Sequence, residues 1–151
     1  MLQRLLRQWE SPPTWLVLFL AAAWLQSRFL PLLPPLPETR HLSTLFVAAG
    51  LMVIGLAVWQ FRAHNTTILP REVPRTMIDT GLYAYSRNPI YVADALILAG
   101  CALRWDMAGL ILVPAFVWII TTRFIIGEEA GMRTAFGADY AAYAARVRRW
   151  M

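Results

Sequence analysis

Between two apolar segments of this chain lies the stretch Thr80-Gly81-Leu82-Tyr83-Ala84-Tyr85-Ser86-Arg87-Asn88-Pro89-Ile90-Tyr91. Gly81 permits a turn, and Pro89 suits the first position of a helix, so a new apolar helix is expected to begin here. Backbone N–H groups at a helix start can bind an anion, and the Arg87 guanidinium adds a planar fork of donors. The stretch predicts an anion-binding helix start or, alternatively, an ordinary loop at a membrane interface.

The composition is that of an integral membrane protein. Of the 151 residues, 58% are hydrophobic and 15% are charged, whereas roughly 25% of residues are charged in a typical soluble domain. A chain of this length is expected to form one domain, residues 1–151. The sequence has no zinc-ligand spacing, no phosphate-binding glycine loop and no nucleophile elbow, so no metal site is expected.

Four apolar segments predict an all-α integral membrane protein with four transmembrane helices, followed by a cytoplasmic amphipathic C-terminal helix. That last helix is predicted from apolar residues that recur at helical spacing, namely Met132, Phe136, Tyr140, Tyr143, Val147 and Trp150. The expected spans are residues 14–33, 41–61, 89–103 and 107–126. A Pro-rich run, residues 31–37, should form a stiff connector between the first two spans. Gly50 and Gly55 are expected to allow close helix contact, and Pro114 is expected to kink the fourth span. Residues 1–10 have no small-residue cleavage site, so a removable signal peptide is not expected.

The arginines predict the orientation of these spans. All 14 basic residues are arginine, and four spans would leave only Arg28, Arg40 and Arg104 on one side of the membrane and eleven on the other. By the positive-inside rule, the arginine-rich side is cytoplasmic. That side holds both termini and the loop of residues 62–88. A bacterial inner membrane is the expected location.

Several motifs follow one another in a characteristic order. After the Gly81–Tyr91 stretch come a predicted helical hairpin, Glu128-Glu129, then Phe136-Gly137-Ala138-Asp139-Tyr140-Ala141-Ala142-Tyr143 and Arg149-Trp150. From about Leu69 onward, this order resembles the isoprenylcysteine carboxyl methyltransferase and phospholipid methyltransferase family of membrane enzymes. The resemblance implies S-adenosylmethionine as cofactor and a lipophilic acceptor that reaches the site from the bilayer. A non-catalytic membrane protein or subunit with the same fold is the alternative.

The resemblance also implies where the cofactor binds, namely at the cytoplasmic ends of the last two spans. The candidate cofactor-binding residues are Tyr83, Arg87, Asn88, Pro89, Tyr91, Glu128 and Glu129. At position 88 the family usually has His. Asn cannot carry a proton at neutral pH, so acid–base chemistry is not expected there, although a hydrogen bond to the cofactor remains possible. A solvated helix start is the alternative interpretation of the two glutamates.

Asp94 and Arg123 are the candidate catalytic residues, because they should lie at similar depth on neighbouring spans. Asp94 is the one acid inside a predicted span, and such a carboxylate normally faces the protein interior and has a partner. It could form a structural ion pair with Arg123. Alternatively, it could orient the acceptor or take a proton from it. His64, at the end of the second span, is expected to cap that helix rather than to face the site.

Overall fold

The structure, a computed structural model, describes residues 11–64 and 76–151. Within these residues the protein consists of helices and turns, without strands. Its helices are α1 (Pro12–Phe29), α2 (Thr39–Ala63), α3 (Pro89–Trp105), α4 (Leu112–Ile120) and α5 (Ile126–Arg146). A 3₁₀ turn (Gly81–Ala84) precedes α3, a second one (Met107–Ile111) leads into α4, and a π-helical turn (Thr121–Ile125) joins α4 to α5. The expectations for residues 1–10 and 65–75 lie outside the described residues.

The all-α prediction is confirmed, and two helical segments are long and apolar enough to cross a membrane. These segments are Thr39–Ala63 and the continuous helical run Met107–Arg146. The other two predicted spans correspond to shorter helices, because α1 has 18 residues and α3 has 17. Large apolar side chains remain exposed on α1 and α2, among them Val17, Trp24, Leu45 and Trp59.

The helices run alternately up and down, so that helix ends meet in two groups. The hydroxyl of Thr39, at the start of α2, donates to the Leu103 carbonyl near the end of α3 (3.2 Å). The Phe19 ring of α1 packs edge-on against Phe116 of α4, with ring centroids 5.5 Å apart. Phe116 belongs to a buried cluster contributed by α1, α3, α4 and the π-helical turn, whose members are Ala23, Tyr91, Leu98, Phe116, Ile120, Phe124 and Ile125.

The most extensive helix contact is between α2 and α3, and small residues make it close. A Cβ added at Gly50 would lie 2.8 Å from the Ala93 carbonyl oxygen, and one at Gly100 would lie 2.9 Å from that of Ser43. The expectation for Gly50 is therefore confirmed. The expectation for Gly55 is wrong, since a Cβ there would meet no described residue within 4 Å. Gly100 performs the role that the sequence analysis gave to Gly55.

Two predicted helix ends are wrong. The first helix ends at Phe29 instead of residue 33, because proline at position 31 cannot continue a helix. The helical spacing of apolar residues in the last segment predicted a helix that includes Trp150. Instead, α5 ends at Arg146, Val147 is extended, and the helix is interrupted at Gly137, whose φ is 49° and ψ is −118°.

Asp106 fastens the Pro-rich connector to the turn between α3 and α4. This side chain is 1% exposed and accepts hydrogen bonds from the backbone N–H groups of Leu32 (2.8 Å), Leu33 (3.1 Å) and Ala108 (2.8 Å). Burial by itself would raise the pKa of Asp106. These donors outweigh burial, so its pKa is lowered. The connector is therefore held by a carboxylate that lies 74 residues after Leu32 in the sequence.

Candidate functional site

The Gly81 turn is held by a buried side chain from α2. Gln60 Nε2 donates to the Thr80 carbonyl (3.1 Å), and Gln60 Oε1 accepts from the Leu82 N–H (3.2 Å). Gly81 has a φ of 59°, and a Cβ there would overlap the Gln60 amide. Both observations require glycine. The predicted turn is confirmed, and its main support, Gln60, was missed because it lies 20 residues earlier in the chain.

The start of α3 is joined to the segment that follows α5. Helix α3 begins at Pro89, as predicted, with Asn88 as its N-cap residue. The Arg87 N–H donates to the Arg148 carbonyl (2.9 Å), and Asn88 Nδ2 donates to the Arg149 carbonyl (2.9 Å). Asn88 thus holds this tail, which we define as residues 147–150, against the helix start.

Glu129 lies at the centre of a cluster of guanidinium groups. It is 4% exposed and forms a bidentate pair with Arg149, in which Nε and Nη2 donate to Oε1 (2.9 Å) and Oε2 (2.8 Å). Arg87 Nη1 lies 3.1 Å from Oε1, and Arg133 Nη2 lies 3.6 Å from Oε2. We call these four residues the Glu129 cluster. It connects the motif before α3, the start of α5 and the tail.

The charges of this cluster keep Glu129 ionised. Burial alone would raise the pKa of its carboxyl group. The hydrogen bonds from Arg149 and the positive charges of Arg87, Arg149 and Arg133 outweigh burial, and the pKa of Glu129 is lowered. Both carboxylate oxygens are occupied by arginines. Glu129 is therefore suited to positioning these side chains.

Glu128 has different neighbours, because adjacent helix residues point in different directions. The Tyr91 hydroxyl donates to Glu128 Oε1 (3.0 Å). The Tyr143 hydroxyl donates to the Tyr83 carbonyl (2.8 Å). Burial and the nearby Tyr143 and Glu128 raise the pKa of Tyr83, so this phenol remains protonated. The side chains of Tyr83 and Tyr91 thus lie near the Glu128 carboxylate, beside the Glu129 cluster.

One buried donor of the site has no partner in the part of the chain that the structure describes. Arg87 Nε is buried and has no hydrogen-bond partner among the described residues, although the same guanidinium pairs with Glu129 through Nη1. A buried N–H group of a charged side chain is costly to leave unsatisfied. Such a donor suits an anionic group of a bound ligand, for example a carboxylate.

The expected pair of Asp94 and Arg123 is not among the ion pairs of the described residues. Asp94 is buried in α3 with 5% exposure. The Arg123 guanidinium carbon instead lies 5.4 Å from the centroid of the Trp15 ring of α1, a cation–π arrangement. Similar depth in a bundle does not fix the direction in which two side chains point.

The structure brings the Gly81–Tyr91 motif, Glu128 and Glu129 together, and Arg149 joins them. In the sequence, Arg149 was recognised only as part of the terminal Arg149-Trp150 motif, and no role was predicted for it. Its contact with Glu129 has no local signal in the sequence. His64 is the C-cap residue of α2, with Nδ1 2.8 Å from the Gln60 carbonyl oxygen, so its expected capping role is confirmed.

Comparison with known protein families gives a match over most of the chain. A family model described as phospholipid methyltransferase matches residues 39–139, well over half of the chain. The matched region includes α2, α3, the Gly81–Tyr91 motif and both glutamates. No curated protein and no solved structure gives a significant match.

Proposed function

The chain belongs to the phospholipid methyltransferase family, and on this premise we propose that it transfers a methyl group from S-adenosylmethionine to a lipophilic acceptor in the membrane. Membership implies methyltransferase activity on membrane substrates. The single observation that most supports cofactor binding by this chain is the buried Nε of Arg87, which has no hydrogen-bond partner within residues 11–64 and 76–151. Arg87 lies in the Gly81–Tyr91 motif, inside the matched region, and pairs there with Glu129.

The donor and acceptor groups fit the chemistry of this cofactor, which supplies an electrophilic methyl group on a sulfonium ion when bound. Its amino-acid end carries a carboxylate, which the Arg87 guanidinium suits. Its ammonium and ribose hydroxyl groups need acceptors, and Glu128 presents a half-buried carboxylate for them. The half-buried ring of Tyr83 offers an apolar surface for a flat base. The buried Tyr91 holds Glu128 through its hydroxyl group. Glu129 holds Arg87 and Arg149 in place.

We propose that all four predicted spans lie in the bilayer. Helix α1 has 18 residues, or roughly 27 Å of helix against a hydrocarbon core of about 30 Å. Its Val17, Leu18 and Trp24 side chains are 63%, 53% and 47% exposed. Apolar side chains exposed on a helix that also covers the core are best accommodated by lipid.

Asp94 is proposed as the group that receives the proton of the acceptor. It lies on α3 one helical turn below Tyr91, and these two residues fall on the same side of the helix. An acceptor that carries an N–H, O–H or S–H group gains the methyl group and loses that proton. A buried carboxylate that forms no ion pair within residues 11–64 and 76–151 is suited to take it. Arg123, over Trp15, is proposed to anchor the bundle at the membrane surface.

Binding of S-adenosylmethionine is the first prediction. We expect a Kd in the micromolar range, or about 8 kcal/mol of binding free energy. Replacing Arg87 by Lys should weaken binding about tenfold, because Lys keeps the charge but loses the planar fork. The measurement is isothermal titration calorimetry on detergent-purified protein.

Arg133→Lys is the matched control, since Arg133 also pairs with Glu129 but its side chain is 61% exposed. Its affinity should stay near that of the wild type. Equal affinities of the wild type and a folded Arg87→Lys variant would contradict the assignment of Arg87. If the wild type binds neither S-adenosylmethionine nor its demethylated product, the non-catalytic alternative is correct.

The second prediction separates a catalytic Asp94 from a structural one. Asp94→Asn keeps the shape of the side chain but removes the base, so we expect normal cofactor binding and a loss of methyl transfer of about a hundredfold or more. Transfer is measured as tritiated methyl groups entering the lipid extract of membranes. Asp139→Asn, an exposed site on α5, is the control. Normal transfer by Asp94→Asn would leave Asp94 with a structural role only.

A further inference from the structure

A cavity lies at the opposite end of the helices from the Glu129 cluster. Its volume is about 730 Å³, and its lining comes from the Pro-rich connector and from the ends of two helices, with the residues Pro35, Leu36, Pro37, Arg40, His41, Leu103, Arg104 and Trp105. Tyr91 and Arg104 lie near opposite ends of α3. Their separation of 13 residues corresponds to roughly 20 Å along the helix. The cavity is therefore distinct from the proposed methyl-transfer site.

The charged and titratable groups that line this cavity are all basic. They are Arg40, His41 and Arg104, and the lining contains no acidic residue. Neither arginine forms an ion pair within residues 11–64 and 76–151. Two like charges beside one cavity repel each other. Arg40 also lies in the first turn of α2, where the helix dipole disfavours a cation. A bound anion would relieve both costs.

The remaining walls are apolar or aromatic. Leu36, Leu103 and Trp105 line the cavity. Beyond it, Leu42 and Leu45 expose 41% and 62% of their surface along α2, which continues the apolar surface toward the middle of the helices. A small soluble anion would make no use of this surface, whereas a lipid would bury it. Trp and Arg side chains are also typical of the headgroup level of a membrane.

We propose that this cavity binds the phosphate headgroup of an anionic phospholipid, with the guanidinium groups of Arg40 and Arg104 on the phosphate. The acyl chains then lie along the exposed apolar side chains of α2. The two planar guanidinium forks match phosphate oxygens. Because the cavity is remote from Glu129, this phospholipid is a structural lipid and is not the methyl acceptor.

The test uses the full chain in detergent and native mass spectrometry with dioleoylphosphatidylglycerol. The wild type should retain one lipid. Arg40→Gln and Arg104→Gln should each lower the bound fraction about tenfold, the scale of a charge-assisted hydrogen bond. Arg28→Gln is the matched control, because Arg28 is an exposed arginine at the same end of the helices but outside the cavity lining. It should retain the lipid as the wild type does.

Two further ligands identify what the cavity recognises. Inorganic phosphate at millimolar concentration should not displace the lipid, and dioleoylglycerol, which lacks a phosphate, should not be retained. Displacement by phosphate, retention of dioleoylglycerol, or equal losses in Arg28→Gln and Arg40→Gln would each overturn the proposal. If a Gln variant does not fold, the Lys variant at the same position is compared with Arg28→Lys, and equal retention by these two proteins would likewise overturn it.

Discussion

Glu129 and Glu128 are neighbours in the sequence but differ in what surrounds them. Glu129 is enclosed by arginines, whereas Glu128 accepts a hydrogen bond from Tyr91. The sequence indicated an acidic pair at the start of a helix. It could not indicate which member faces inward, because that depends on the rotation of α5 about its axis. Two identical side chains therefore have different proposed roles, one positioning arginines and one binding the cofactor.

The lowered pKa of Glu129 predicts how stability depends on pH. A carboxyl group whose pKa is lower in the folded state stabilises the fold above its unfolded pKa, near 4.5. That contribution is lost as the pH falls through the folded pKa. We expect the Tm of the wild type in detergent to fall between about pH 5 and 3. In Glu129→Gln, which has no such proton to gain, this fall should be smaller.

Asp106 also has a lowered pKa, so it contributes to the same fall in Tm at low pH. Its contribution is present in both proteins, so the difference between the two Tm curves reports Glu129 alone. Parallel curves from pH 7 to 3 would show that the Glu129 cluster does not stabilise the folded state.

Among the helices, α5 departs most from what its sequence indicates. Its apolar residues recur at helical spacing, which predicted one helix through residue 150. The buried residues Tyr140, Tyr143 and Val147 do pack together, and Met132 and Phe136 lie against them. Their packing is nevertheless achieved with a break at Gly137 and an extended Val147. Periodicity identified which residues are buried but not the backbone path, because a glycine can redirect the chain without changing that pattern.

The break at Gly137 predicts the effect of two glycine substitutions in α5. Gly137 has a φ of 49°, and a Cβ there would meet nothing within 4 Å, so Gly137→Ala introduces backbone strain without a clash. We expect it to destabilise the protein by about 1–3 kcal/mol. Gly127→Ala, also in open space but with helical dihedrals, should be neutral or stabilise by up to about 1 kcal/mol. Thermal unfolding in detergent compares them, and equal stabilities would mean that position 137 adopts an ordinary helical conformation.

For the protein as one unit, the sequence predicted the number and order of the apolar helices better than the contacts between them. Pro89 and Gly81 carry local signals, so the helix start and the turn predicted from them needed no knowledge of distant residues. The bonds of Gln60 to Thr80 and of Arg149 to Glu129 join residues 20 apart in the sequence. Neither partner reveals the other by its type. Such pairings follow from the packing of the helices, which the sequence does not specify residue by residue.

The distribution of arginines over the two ends predicts the orientation in the membrane. Arg28, Arg40 and Arg104 lie at the end remote from the Glu129 cluster. We expect the opposite, arginine-rich end to face the cytoplasm. Green fluorescent protein fused after Met151 should therefore be fluorescent in bacterial cells, and alkaline phosphatase fused there should be inactive. An active phosphatase fusion would reverse the predicted orientation.

The bond between Asn88 and the Arg149 carbonyl also fixes when the site can form during synthesis. These residues are 61 positions apart, which ribosomes cover in roughly 3–12 s at about 5–20 residues per second. During this interval α3 can already enter the membrane, but its first turn has no tail to bind and Arg87 has no Glu129. A nascent chain halted after α3 thus lacks the proposed cofactor pocket. On this proposal, the protein can bind the cofactor only after α4, α5 and the tail have been made. A partly synthesised chain therefore cannot bind it.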